Sequence, residues 1–160
     1  MAYGHVIRRR VEFAETDMAG IVHFSTYFRY MEAAEAAFFR ELGLPLIEAD
    51  SGGARGWPRV RAQCDFSGPL HFDDIVEVQL LVEAIKIKAI AFRFRLFRIG
   101  DDGWRHPIAR GGFTTVYATR TAADPAMQAE TIPQALLDRI EEAPESVLKD
   151  RTGTWADTGV

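Results

Sequence analysis

The spacing of apolar residues divides the chain into one long helix and a set of strands. Residues 5–13, "HVIRRRVEF", alternate, with Ile7, Val11 and Phe13 on one face and Arg8, Arg10 and Glu12 on the other, which predicts a first strand. After the turn "TDMAG" the period changes. Phe24, Tyr27, Phe28, Met31, Ala34, Phe38 and Leu42 recur at intervals of three and four, the stripe of an amphipathic helix. This helix is expected to run about 18 residues, roughly 27 Å, and to stop at Gly43, where a left-handed cap costs glycine little. Residues 45–58 carry three glycines and two prolines and read as a helix exit followed by a loop.

Alternation then resumes. In residues 59–66 it places Val60, Ala62, Cys64 and Phe66 inward. In 75–85 it aligns Val76, Val78, Leu80, Val82 and Ala84. In 88–98 it aligns Ile90, Phe92, Phe94 and Leu96, with Arg93 and Arg95 outward. "IGDDGW" is a hairpin signal, and residues 108–119 return as a further strand, whose Gly111-Gly112 marks a bulge or a close backbone approach. A last helix is expected over "PQALLDRIEEA", opened by Pro133. The order is strand, long helix, then four strands in hairpin succession. It predicts an α+β fold in which a five-stranded antiparallel sheet wraps one central helix and keeps its outer face charged. One domain over residues 1–143 is expected, followed by a polar, weakly patterned and loosely attached tail, 144–160.

Composition narrows the function. The 160 residues carry 19 Lys+Arg against 23 Asp+Glu, a net charge of -4, so no general basic field invites nucleic acid or an anionic membrane. "MAYGHVIRRRVEF" alternates instead of forming an apolar leader, and charges interrupt every hydrophobic run, so neither export nor a membrane span is expected. The single cysteine, Cys64, suits a reducing cytoplasm and an inert place in the core. No metal site and no cofactor are called for.

The candidate chemistry gathers around "FAETDMAGIVHF". Asp17 follows the first strand and precedes the helix, where free backbone N–H groups and the positive helix end favour an oxygen that gains charge. A carboxylate there can serve as base or nucleophile in acyl transfer, and Gly20 lets a carbonyl approach the backbone. Asp is equally at home as a cap or turn residue in this place. His23 could polarise a substrate or hold water, or simply satisfy the helix start. Tyr27 reads as core packing or as substrate contact. Glu32 and Glu35 read as solvated or interface residues, and Arg59 and Arg61 as a solvated sheet face.

The run "FAETDMAGIVHFSTYFRYMEAAEAAFFRELGLP" resembles the signature of the hydroxybenzoyl-CoA thioesterase family of hotdog-fold proteins. The likeness extends more loosely over residues 3–135. It implies a hotdog fold and hydrolysis of an acyl-CoA thioester in a site built across two subunits. It places the family's catalytic carboxylate on Asp17, the oxyanion-binding backbone amide on Phe24 and the acidic residue nearest the acyl group on Glu32. His23 and Trp57 stand where aromatic-specific members carry other residue types, so no hydroxylated aromatic acyl group follows. Lys86 and Lys88, at the turn between two strands, are placed to meet the phosphates of coenzyme A or are solvated. A homodimer or a homotetramer, as a dimer of dimers, is implied. Two alternatives stand beside this reading: a thioesterase for acyl groups carried on a protein, and a catalytically silent acyl-CoA binder. A dehydratase of related fold is disfavoured, because His71 and His106 are expected in loops without a carboxylate partner.

Overall fold

The central helix α1 (Thr26–Glu41, 16 residues) ends as its spacing requires, with Gly43 at φ +67°. The chain is described here by a computed structural model covering residues 1–158, with Thr158 by its backbone alone. Five antiparallel strands curve around α1: β1 (Gly4–Arg10), β4 (Arg59–Phe66), β5 (Ile75–Ile85), β6 (Ala89–Ile99) and β7 (Arg105–Val116), in the spatial order β1-β5-β6-β7-β4. The inner face is the one the alternation predicts. Val76, Val78, Leu80 and Val82 of β5 and Ile90, Phe92, Phe94 and Leu96 of β6 form one cluster with Tyr27, Tyr30, Met31, Ala34, Phe38 and Phe39 of α1. Each large apolar side chain withdrawn from water contributes about 1.5–3 kcal/mol, so this stripe anchors the helix. Gly111 of β7 is a close approach: an added Cβ would meet Met31 Cε at 2.8 Å. The sheet's register shifts fall elsewhere, so no bulge sits at Gly111-Gly112.

Several expectations are corrected. Phe13 is 74% exposed in a short 3-10 turn and packs edge-on to Phe72, and Phe24 is 63% exposed ahead of the helix. Tyr30 and Phe39 take the buried positions instead, because the true stripe lies one residue round from the first aromatic. Residues 45–58 are not only loop. β2 (Glu48–Asp50) and β3 (Gly53–Gly56) pair with β8 (Ala118–Thr121) and β9 (Gln128–Ala129) in a second, four-stranded sheet. The strand expected over 108–119 breaks at Tyr117 to supply both sheets. The helix after Pro133 is a single turn, α2 (Gln134–Leu137).

The outer face of the large sheet is not left charged to solvent. Glu77, Gln79 and Leu81 of β5 are as buried as their inward neighbours, because the C-terminal segment lies across them. Its helix α3 (Glu145–Lys149) and the 3-10 turn Thr154–Thr158 carry Val147, Leu148 and Trp155 onto Leu81, Tyr3 and Val6. Arg95 donates to the carbonyls of Val147 (2.8 Å) and Leu148 (2.9 Å), and Trp155 Nε1 donates to Gln79 Oε1 at 2.9 Å. The segment expected to be loose is therefore docked along these residues. Strand β4 shows the opposite departure. Its apolar residues alternate, yet Val60 is 65% and Phe66 49% exposed, because α1 lies chiefly over β1 and β5 and leaves this edge little cover. Cys64, half-buried on β4, has its thiol pushed up to about 11 by burial, which makes it unreactive at neutral pH.

Candidate active site

Asp17 heads a tight loop closed between Thr16 and Val22, which pair as an isolated bridge. Its amide donates to Ile21 O (2.9 Å), its carbonyl accepts from Gly20 N (3.0 Å), and its Oδ1 accepts from Ala19 N (2.8 Å). Gly20 closes the turn at φ +78°, a left-handed conformation that favours glycine, and nothing lies within 4 Å of where its Cβ would be. One carboxylate oxygen thus shapes the turn. The other, Oδ2, accepts from no group among the described residues, and the side chain is exposed.

The helix entry is built by His23. Its amide donates to Glu15 O (2.9 Å), its carbonyl accepts from Thr26 N (2.9 Å), and its Nδ1 lies 2.7 Å from Ser25 Oγ and accepts from Ser25 N at 3.3 Å. An Nδ1 that accepts a backbone N–H places the proton of the neutral ring on Nε2. Between His23 and Ser25, the Phe24 amide donates to no group among the described residues. Asp17, Gly20, His23 and Phe24 are thus gathered in one turn and one helix entry. Tyr27 is not presented with them: it is 3% exposed, packs edge-on to Phe66 at 4.9 Å, and burial pushes its phenol up to about 12.

Glu32 and Trp57 meet elsewhere, in a cleft of ≈ 340 Å³ between the middle of α1 and the small sheet. Trp57 is 8% exposed and packs against Phe39 and Tyr117. The same cleft is lined by Glu35 and Arg59, two residues read from the sequence as facing solvent or an interface. Glu35 is 1% exposed, ion-paired to Arg59 through Oε2, and its Oε1 has no partner among the described residues. Burial outweighs the attraction of Arg59 and raises the carboxyl to about 7. Arg59 is held over the Phe113 ring at 4.4 Å. The signal was present in the sequence: Glu35 falls four residues after Met31 and three before Phe38, inside the buried stripe.

Lys86 and Lys88 are exposed in the β5–β6 turn, away from that cleft, and Lys88 Nζ donates to Ala129 O at 3.0 Å. His71 does have a carboxylate beside it, Asp74 at 3.7 Å, but Asp74 Oδ2 also accepts the His71 amide, so the pair closes a loop. His106 lies in β7 and not in a loop.

A curved antiparallel sheet closed around one long helix is the hotdog fold. The same arrangement is found in the structure of the 4-hydroxybenzoyl-CoA thioesterase of Pseudomonas sp. strain CBS-3, with TM-score 0.74, 23% identity, and 86% of this chain and 99% of that one covered. It recurs in the gentisyl-coenzyme A thioesterase BH1999, at TM-score 0.67 and 29% identity over 84% of this chain and 98% of that one. By sequence, the chain is 39% identical over 111 residues to an Aquifex aeolicus (strain VF5) protein named "Putative esterase", covering 67% of this chain and 86% of that one. It is 28% identical over 123 residues to the Pseudomonas thioesterase, covering 74% of this chain and 85% of the enzyme. The model of the thioesterase-like superfamily matches residues 11–149, so the chain belongs to that superfamily.

Proposed function

We propose that this protein hydrolyses an acyl-CoA thioester to the free acid and coenzyme A, with Asp17 as the reacting carboxylate. The observation that carries the reading is a carboxylate with one oxygen engaged in its own turn and the other free, next to a helix entry whose Phe24 amide is unengaged. The thioester carbonyl oxygen rests on the Phe24 N–H, reinforced by the positive end of α1, and Gly20 leaves room for its approach. Asp17 Oδ2 then attacks the carbonyl carbon, or takes a proton from the water that does. Either route adds one water overall and expels the coenzyme A thiol. His23, its Nδ1 already occupied, offers Nε2–H to the substrate. Lys86 and Lys88 are assigned to the nucleotide phosphates, and Glu32 and Trp57 to the acyl end.

Strand β4 supports a homodimer joined through that edge, since its exposed Val60 and Phe66 are apolar and its backbone is unpaired on one side. Two such dimers would make the homotetramer. No helix among the described residues is long and apolar enough to cross a membrane, and we assign the protein to the cytoplasm. The test is Asp17→Asn, assayed with a thiol reagent against a panel of acyl-CoA esters. We expect a loss of about 100-fold or more in turnover with the fold and ligand binding retained. Unchanged turnover overturns the mechanism, and a silent acyl-CoA binder is what would remain.

A further inference from the structure

We propose, resting on the thioesterase reading, that the cleft at the middle of α1 receives the far end of the acyl chain and that Glu35 selects chains ending in a hydroxyl. The cleft's ≈ 340 Å³ falls in the range of small-molecule sites, and Leu46, Ile47, Trp57 and Met127 give it apolar walls. Glu35 breaks that pattern. It is 1% exposed, and Oε1 lacks a donor, although a bare buried acceptor costs about 1–3 kcal/mol. The fold can satisfy a carboxylate fully when it needs to: Glu77, equally buried, is bonded at both oxygens by Arg8, Arg105 and Gln79. Glu35 has one partner, Arg59, and the other oxygen is left for a group that enters the cleft.

The chemistry of that group follows from its surroundings. A second anion finds no donor at Oε1, and an ammonium ion meets Arg55, Arg59 and Arg120, which line the cleft and outnumber Glu32 and Glu35. A neutral hydroxyl donates without adding charge. Within one chain the helix sets its distance from the Phe24 amide. At 1.5 Å per residue, Glu35 lies roughly 16 Å beyond Phe24 along α1, less the backward lean of a helical side chain. One aromatic ring falls well short of that reach. A medium-length aliphatic chain with a terminal hydroxyl spans it.

The experiment compares 12-hydroxydodecanoyl-CoA with dodecanoyl-CoA on the full chain. Assayed at pH 8, above the value of about 7 to which burial raises the Glu35 carboxyl, one hydrogen bond to the ionised acceptor predicts a preference in kcat/KM of roughly 10- to 100-fold for the hydroxylated ester. In Glu35→Gln, Arg59 retains the amide oxygen as its acceptor, so an NH2 group replaces Oε1 and can only donate to the hydroxyl oxygen, a bond between neutral groups in place of one to a carboxylate. The preference then falls by roughly 10-fold. The double variant Glu35→Leu/Arg59→Leu, checked for cooperative melting, removes acceptor and cation together and brings the ratio to parity. Equal kcat/KM in the unaltered protein, or a ratio that Glu35→Gln leaves unchanged, overturns the proposal. Calorimetry with free 12-hydroxydodecanoate and dodecanoate reads the same discrimination without hydrolysis. If no ester is turned over, the thioesterase reading has failed, and the binding ratio alone decides the role of Glu35, equal affinities overturning it.

Discussion

Glu35→Gln makes a sharp physical test, because Glu35 and Glu77 are both 1% exposed yet are pushed in opposite directions. Glu77 keeps its carboxyl below the usual range: burial opposes ionisation, but bonds from Arg105, Gln79 and Arg8 together outweigh it. Glu35 has only Arg59, so burial prevails and the carboxyl rises from 4.5 to about 7. Between those two values the folded chain holds a proton that the unfolded chain has released. The resulting stability is full below pH 4.5 and is lost as pH rises through about 7. The separation between 4.5 and about 7, at 1.36 kcal/mol per pH unit, comes to about 3 kcal/mol. Glutamine cannot titrate, so the variant lacks this decline. Urea unfolding of both proteins at pH 4.5, 5.5, 6.5 and 7.5 measures it as the change in their stability difference across the series. His5, whose pKa is lowered chiefly by burial, loses stability toward acid pH in part of the same window, but it is common to both proteins and cancels. Parallel stability curves would refute the claim that the Glu35 carboxyl is desolvated more than Arg59 compensates.

The docked C-terminal segment predicts that Trp155→Ala, at a residue 4% exposed, costs about 3–5 kcal/mol by urea titration, since it opens a cavity and strips Gln79 Oε1 of its donor. A cost below about 1 kcal/mol would mean the segment is not held there. The bare β4 edge predicts that Val60→Glu shifts the protein from dimer to monomer in sedimentation, while its melting transition stays cooperative; an unchanged assembly places the interface elsewhere.

The sheet's inner face, the length of α1, its end at Gly43 and the candidate turn at Asp17 were all legible in the order of residues. Each depends on contacts or backbone angles within a few positions, and periodicity records those directly. The hotdog resemblance rested on the same local run. What the chain order could not record was coverage. Val60 and Phe66 alternate like core residues but lie on an edge that α1 covers only in part, while Glu77, Gln79 and Arg95 look solvated and are buried by a segment some 50 to 80 residues further on. That segment has no period because scattered apolar residues, Val147, Leu148 and Trp155, and a few main-chain carbonyls hold it. Glu35 and Arg59, 24 residues apart, became a desolvated pair only when β4 was laid beside α1 and the small sheet closed over them. Local pattern fixed the long helix and the five strands of the large sheet; the small sheet, the burial of each charge, and with it the shape of the cleft, were decided by which segments came to lie over one another, because desolvation is set by all the neighbours in space and not by those in sequence.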